Sequence, residues 1–95
     1  MGADGLVFRI HALQRMFQRN ISLEDVKKVL KTGETIEQYP DDAPYPSRLV
    51  FGWCGSRPLH AVVADNIENE ETIVITVYEP DSGEWEPGFK RRKRI

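Results

Sequence analysis

The chain has 95 residues, 40% of them hydrophobic and 29% charged, with a formal net charge of −2. That is enough for one domain with one core and too few for two, so residues 1–95 are read as a single domain. No apolar run exceeds about five residues, against the roughly 20 that a membrane helix needs, and Met1 to Leu6 lacks the basic and long apolar stretches of a secretory signal.

Charge is spread unevenly. Five of the 13 Lys and Arg residues lie in Lys90–Arg94, which leaves 8 basic against 15 acidic side chains elsewhere, a balance of −7. By bulk charge the body is therefore not a nucleic-acid binder, and an RNA role needs a local basic patch together with the tail. Cys54 is the only cysteine, so no internal disulfide forms and a reducing, cytoplasmic setting is expected. With His11 and His60 it falls short of the about four ligands of a zinc site, so neither metal nor other cofactor is expected.

In chain order, a first helix is predicted from about Phe8 to Arg19. Ile10, Leu13, Met16 and Phe17 have the spacing of one buried face, and His11, Arg15 and Arg19, four apart, make a second stripe. Asn20 ends it. Ser22 is the N-cap of a second helix, Glu24 and Asp25 put negative charge in its first turn, and Lys27, Lys28 and Lys31 lean toward its end. Leu23, Val26, Val29 and Leu30 form its buried face, and Gly33 suits a left-handed stop. A strand follows at Thr35–Tyr39. Pro40, Pro44 and Pro46 then make a rigid loop. Ser47–Cys54 and Pro58–Asp65 read as a hairpin joined by Gly55-Ser56. Thr72–Tyr78 is the next strand, ended by Pro80. A short final helix or tail carries the basic cluster. The class is α+β: two N-terminal helices packed on a mainly antiparallel sheet of three to four strands.

Alternation along the hairpin puts Phe51 opposite His60 and Leu49 opposite Val62. One sheet face then holds Val50, Gly52, Leu59, Ala61 and Val63, joined by Ile73, Ile75 and Val77. This is the face for the helices to cover, with Gly52 and Ala61 allowing close approach. The other face carries Leu49, Phe51, Trp53, His60, Val62, Thr76 and Tyr78, and is expected to be half open, a natural ligand surface.

Three motifs carry a family resemblance: the segment from His11-Ala12 through Arg15-Met16 to Arg19, then RPLHAVVA at Arg57–Ala64, then TIVITVYEP at Thr72–Pro80. Together they resemble a bacterial and archaeal family of small domains of unknown function, over about Ile10 to Arg92. That family is in turn similar to the RelE/ParE-type toxins, the MqsR branch in particular. The resemblance implies a RelE-like fold and an mRNA endoribonuclease of a type II toxin–antitoxin system, with RNA as substrate and an antitoxin protein as partner. No lysine stands in the central strands to match the lysines of RelE-type sites, and Tyr78 is the one match of residue type.

Cleavage of RNA by its own 2′-oxygen needs a base, an acid for the leaving oxygen and cations for the phosphate. His60 is the candidate base, Tyr78 or His11 the acid, and Arg15, Arg19 and Arg48 the phosphate ligands. Trp53 or Phe51 is placed to stack on a base, and Lys90, Arg91 and Arg92 to track the backbone. Each has a plain structural counterpart: a hydrogen-bonded strand histidine, a solvated arginine stripe, core aromatics, a flexible basic tail. Trp85 is read as an anchor of the C-terminal segment. The alternative function is a non-catalytic module that binds protein or nucleic acid through the same face, or that pairs with its own copy.

Overall fold

The two N-terminal helices start differently: the second on a side-chain cap, the first directly after a strand and without one. The computed structural model describes residues 5–94, so Met1–Asp4 of the signal reading and Ile95 of the tail lie outside it. Its elements are β1 (Leu6–Phe8), α1 (Ile10–Gln18), α2 (Leu23–Thr32), β2 (Glu34–Tyr39), β3 (Ser47–Cys54), β4 (Arg57–Asn66) and β5 (Glu71–Tyr78). Helix α2 opens on a capping box: the Ser22 hydroxyl accepts from the Asp25 amide at 3.0 Å, and the Asp25 carboxylate accepts from the Ser22 amide at 3.0 Å. Two otherwise unpaired donors are thereby satisfied. Helix α1 ends as expected, with Asn20 at φ 58° in the left-handed region.

Gly33 does close α2, for a different reason from the one anticipated. Its φ is −84°, an ordinary value, but a Cβ there would stand 2.4 Å from the Phe51 carbonyl oxygen and 2.5 Å from that of Val29. The position needs glycine because two backbones meet there, not because the chain turns left-handed.

Five strands form one mixed sheet in the order β1-β5-β4-β3-β2, one or two more than the sequence reading counted. The extra strand is β1, which pairs parallel with β5. It takes Phe8 out of the predicted helix. The β3–β4 hairpin has the expected register, with Phe51 opposite His60 and Leu49 opposite Val62.

Between β4 and β5 the alternation breaks. Val62 faces Thr76 but Val63 faces Val74, leaving Ile75 as the extra residue of a β-bulge. The bulge returns Val74, not Ile75, to the face shared by Val63 and Val77, and sends Ile73 to the other face beside Ala64. The predicted trio of Ile73, Ile75 and Val77 is corrected accordingly.

Both helices lie on one side of the sheet, α1 against β5 and α2 against β3. The core between them holds Ala12, Met16, Val26, Val29, Val50, Leu59, Ala61, Val63, Val74 and Val77. Each large aliphatic side chain buried there contributes about 1.5–3 kcal/mol. A Cβ on Gly52 would lie 3.2 Å from Val29, the anticipated close approach.

Helix α1 presents a different face from the one its apolar spacing predicted. Ala12 and Met16 are buried, whereas Ile10, Leu13 and Phe17 are 71%, 43% and 88% exposed. Leu23, expected inside, is also exposed. Short Ala12 lets the helix sit close to β5, and Arg19, one turn further along the same side, donates from Nη1 to the Val77 carbonyl at 2.7 Å. That hydrogen bond and β1 fix the rotation of the helix, so its longest apolar side chains point away from the sheet.

Candidate active site on the face opposite the helices

On the far side of the sheet the chain builds a network of aromatic and titratable groups. His60 on β4 is fully buried. Its Nε2 lies 2.8 Å from the Phe89 carbonyl oxygen and its Nδ1 3.2 Å from the Tyr78 hydroxyl. A carbonyl only accepts, so Nε2 carries the hydrogen and Nδ1 accepts from the phenol. Burial pushes the His60 pKa down, although the bond to the Phe89 carbonyl works the other way. Burial also pushes Tyr78 up. Both groups are therefore held neutral.

What covers them is the C-terminal segment. Among the described residues there is no final helix; the chain after Pro80 crosses the sheet and doubles back. The Glu86 amide donates to the Arg91 carbonyl (2.8 Å), the Lys93 amide to Glu84 (2.9 Å) and the Phe89 amide to Glu86 (2.8 Å), so Trp85 stands opposite Arg92. Gly88 turns the corner at φ 93°. Trp85 is buried as anticipated, its ring centroid 4.4 Å from that of His60 and nearly perpendicular to it. This face was expected to be half open; over His60 it is closed by the protein's own residues 81–94.

The network continues toward the sheet edge. A bulge between Thr35 and Glu37 turns Glu34, Glu37 and Tyr39 of β2 onto this face, opposite Phe51, Leu49 and Ser47. Arg92 lies with its guanidinium carbon 4.6 Å from the Trp85 ring centroid, a cation–π arrangement. Its Nε is 3.3 Å from a Glu37 carboxylate oxygen. The Tyr39 hydroxyl donates to the other oxygen of the same carboxylate. Here the side chains reach water: Glu37 is 28% and Arg92 56% exposed. Burial, then the Glu37 carboxylate, pushes the Tyr39 phenol up. Burial tends to lower the Arg92 pKa, but the carboxylate and phenol more than offset that and raise it.

The predicted site residues divide. His60 and Tyr78 come together, with Trp53 at the margin, 45% exposed and edge-on to Phe51 and Phe89. His11 and Arg15 do not join them: they are exposed on α1, beyond the other side of the sheet. Arg19 is occupied by the Val77 carbonyl, and its own carbonyl accepts from Arg57 at 2.6 Å. Arg48 faces the helices, paired with Asp65 at 2.8 Å. Strand alternation separates it from His60, since Arg48 sits opposite Val63 on the helix-facing side. The tail is not free either. Lys90 pairs with Glu34 at 3.0 Å and Arg92 with Glu37, while Arg91 is 3.9 Å from Glu86.

Sequence reasoning missed Glu37 and Tyr39. The signal that could have found them is the alternation of Glu37 and Tyr39 in a weak strand, facing a basic tail of matching charge. Among the described residues no three His, Cys, Asp or Glu side chains gather as metal ligands, and no helix is long and apolar enough to cross a membrane.

One family profile, described as a domain of unknown function (DUF4258), matches residues 8–79. That span holds both helices, β2–β5 and the His60–Tyr78 pair. No curated protein and no solved structure matches the chain.

Proposed function

We propose that this chain, which belongs to the DUF4258 family of domains of unknown function, is a RelE-like, toxin-type endoribonuclease that cleaves RNA without a metal on the sheet face opposite its helices. The observation that carries this reading is one continuous network on that face: Tyr39 to Glu37, Glu37 to Arg92, Arg92 over Trp85, Trp85 against His60, and His60 to Tyr78. It supplies a carboxylate, two phenols, an imidazole and a guanidinium, the kinds of group that transesterification of RNA requires. Two helices packed on one side of a mainly antiparallel sheet support the RelE-like relationship, which by itself would not fix the activity.

The test is purified protein with RNA in the presence of EDTA. Wild type is expected to cleave, and the Glu37→Gln/His60→Ala double variant to lose that activity. Cleavage equal in the two proteins, or absent from both here and in a translating extract, overturns the reading.

A second reading, a non-catalytic protein-binding module, is favoured by one observation: Ile10, Leu13 and Phe17 stand exposed along one side of α1. An exposed apolar stripe of this kind marks contact surfaces. On this reading the product of a neighbouring gene co-purifies with the domain, Phe17→Asp abolishes the association, and RNA is untouched.

A further inference from the structure

We infer that the reacting groups of this site are Glu37, Tyr39 and Arg92, at the open rim of the network, while His60 and Tyr78 position them from beneath. The inference rests on the ribonuclease reading and assigns its chemistry. Exposure decides between the two ends of the network. A proton acceptor must touch the 2′-hydroxyl. His60 has no exposed surface, and both its ring nitrogens are engaged. Glu37 and Arg92 share one ion pair, and both reach solvent.

The geometry at the rim matches the reaction. The Glu37 carboxylate accepts the 2′-proton. The freed 2′-oxygen bonds to phosphorus, and the phosphorus–O5′ bond breaks. O5′ takes its proton from the Tyr39 phenol. This leaves a 2′,3′-cyclic phosphate, a 5′-hydroxyl, a protonated Glu37 and a Tyr39 phenolate. The hydrogen bond between those two side chains returns the proton from carboxyl to phenol, and the site is restored with no external reactant. Arg92 has five donors in a planar fork, of which Nε points at Glu37. The guanidinium also interacts with the Tyr39 hydroxyl, so carboxylate, phenol and cation meet at one point, where the fork can turn its outer N–H groups to the non-bridging phosphate oxygens as charge develops there.

His60 and Trp85 fix the position of Arg92. Trp85 packs edge-to-face with the imidazole and carries the guanidinium over its ring, and the Phe89 carbonyl ties the turn to His60. Further along the β2–β3 edge, where β2 begins, lies a depression of about 240 Å³ lined by Glu34, Phe51, Trp53 and Lys90. The half-exposed Trp53 ring there offers a face on which a base of the same RNA strand can stack.

The experiment compares wild type, Glu37→Gln, Arg92→Gln, His60→Gln and, as a surface control, Glu68→Gln. Each is assayed on a short RNA in buffer and on messenger RNA in a translating extract. Glu37→Gln and Arg92→Gln are expected to fall about 10²–10⁴-fold, with 2′,3′-cyclic phosphate ends on the wild-type product. Glu37→Gln also loses the acid limb of the pH–rate profile, which a merely structural change leaves in place. His60→Gln keeps that limb and loses much less rate.

If Glu37→Gln fails to fold, Glu37→Asp and Tyr39→Phe decide: the first retains the acid limb, and the second slows cleavage about 10²-fold or more. Wild-type rates in Glu37→Gln together with a dead His60→Gln overturn this assignment and leave the ribonuclease standing. So do 5′-phosphate ends. No cleavage by wild type in either assay overturns both.

Discussion

The two sides of the sheet are buried by different means. On the helix side the packing is apolar: Val26 and Val29 of α2 and Ala12 and Met16 of α1 close over Leu59, Ala61, Val63, Val74 and Val77. On the other side His60, with Phe51, Leu49 and Trp85, is buried by a segment of turns rich in charged groups. That segment is held by an imidazole hydrogen bond, a cation–π contact and two ion pairs with β2. An apolar layer is stable through area removed from water and is indifferent to exact bonding. A polar layer holds only while each group keeps its partner. Chemistry belongs on the second, where charge and hydrogen bonding are already arranged.

The sharpest test of that contrast is a matched pair of truncations. Leu59→Ala empties the helix-side core and is expected to cost about 2–5 kcal/mol of global stability in denaturant titration. Trp85→Ala on the other side is expected to cost less, about 1–3 kcal/mol, because residues 81–94 can detach and let water satisfy His60. The two variants also differ in where the loss appears. Hydrogen exchange in Trp85→Ala should quicken at the amides of Glu86, Phe89 and Lys93 while the β3–β4 pairing stays protected. Exchange in Leu59→Ala should quicken throughout. Uniform acceleration in both would make the C-terminal segment part of the same cooperative core and dissolve the distinction.

The same contrast explains what could be read in advance. The β3–β4 hairpin was legible residue by residue, because a two-residue turn fixes register and one buried face confirms it. The cap of α2 was legible because Ser22 and Asp25 are local neighbours. The rotation of α1 was not. Ile10, Leu13 and Phe17 outweigh Ala12 and Met16 in any reading of periodicity, and the deciding contacts, Arg19 to Val77 and β1 to β5, span the chain. The bulge at Ile75 was hidden for the opposite reason: in TIVITV the regular alternation of Ile73, Ile75 and Val77 is wholly apolar, so nothing local marks the point where Val74 takes over the core face. Of the site, the pairing of His60 with Tyr78 followed from register and is present. Its closure and the partnership of Glu37 with Arg92 depend on where the C-terminal segment folds back, which no local pattern encodes. The cluster Lys90–Arg94 read as free positive charge, and only the fold shows Lys90 and Arg92 engaged with β2.

The smallest expected effect isolates His60. Its pKa is lowered by burial, so between the folded and unfolded values the unfolded chain binds more protons, and stability rises with pH. The contribution is fully present above the ordinary histidine value of about 6.5 and is lost as pH falls below it toward the folded value. The site shows why. A proton on Nδ1 removes the acceptor that the Tyr78 hydroxyl uses and puts a charge against Trp85, whose ring already carries the Arg92 guanidinium. His60→Gln is the informative substitution, because its amide can donate to the Phe89 carbonyl and accept from Tyr78 but does not titrate. Denaturant midpoints from pH 7.5 down to 5 should therefore drop more steeply for wild type than for His60→Gln, with the gap opening below about pH 6.5. Parallel curves would mean that the imidazole takes up its proton without strain. The polar layer would then be open enough to water for His60 itself to meet a substrate.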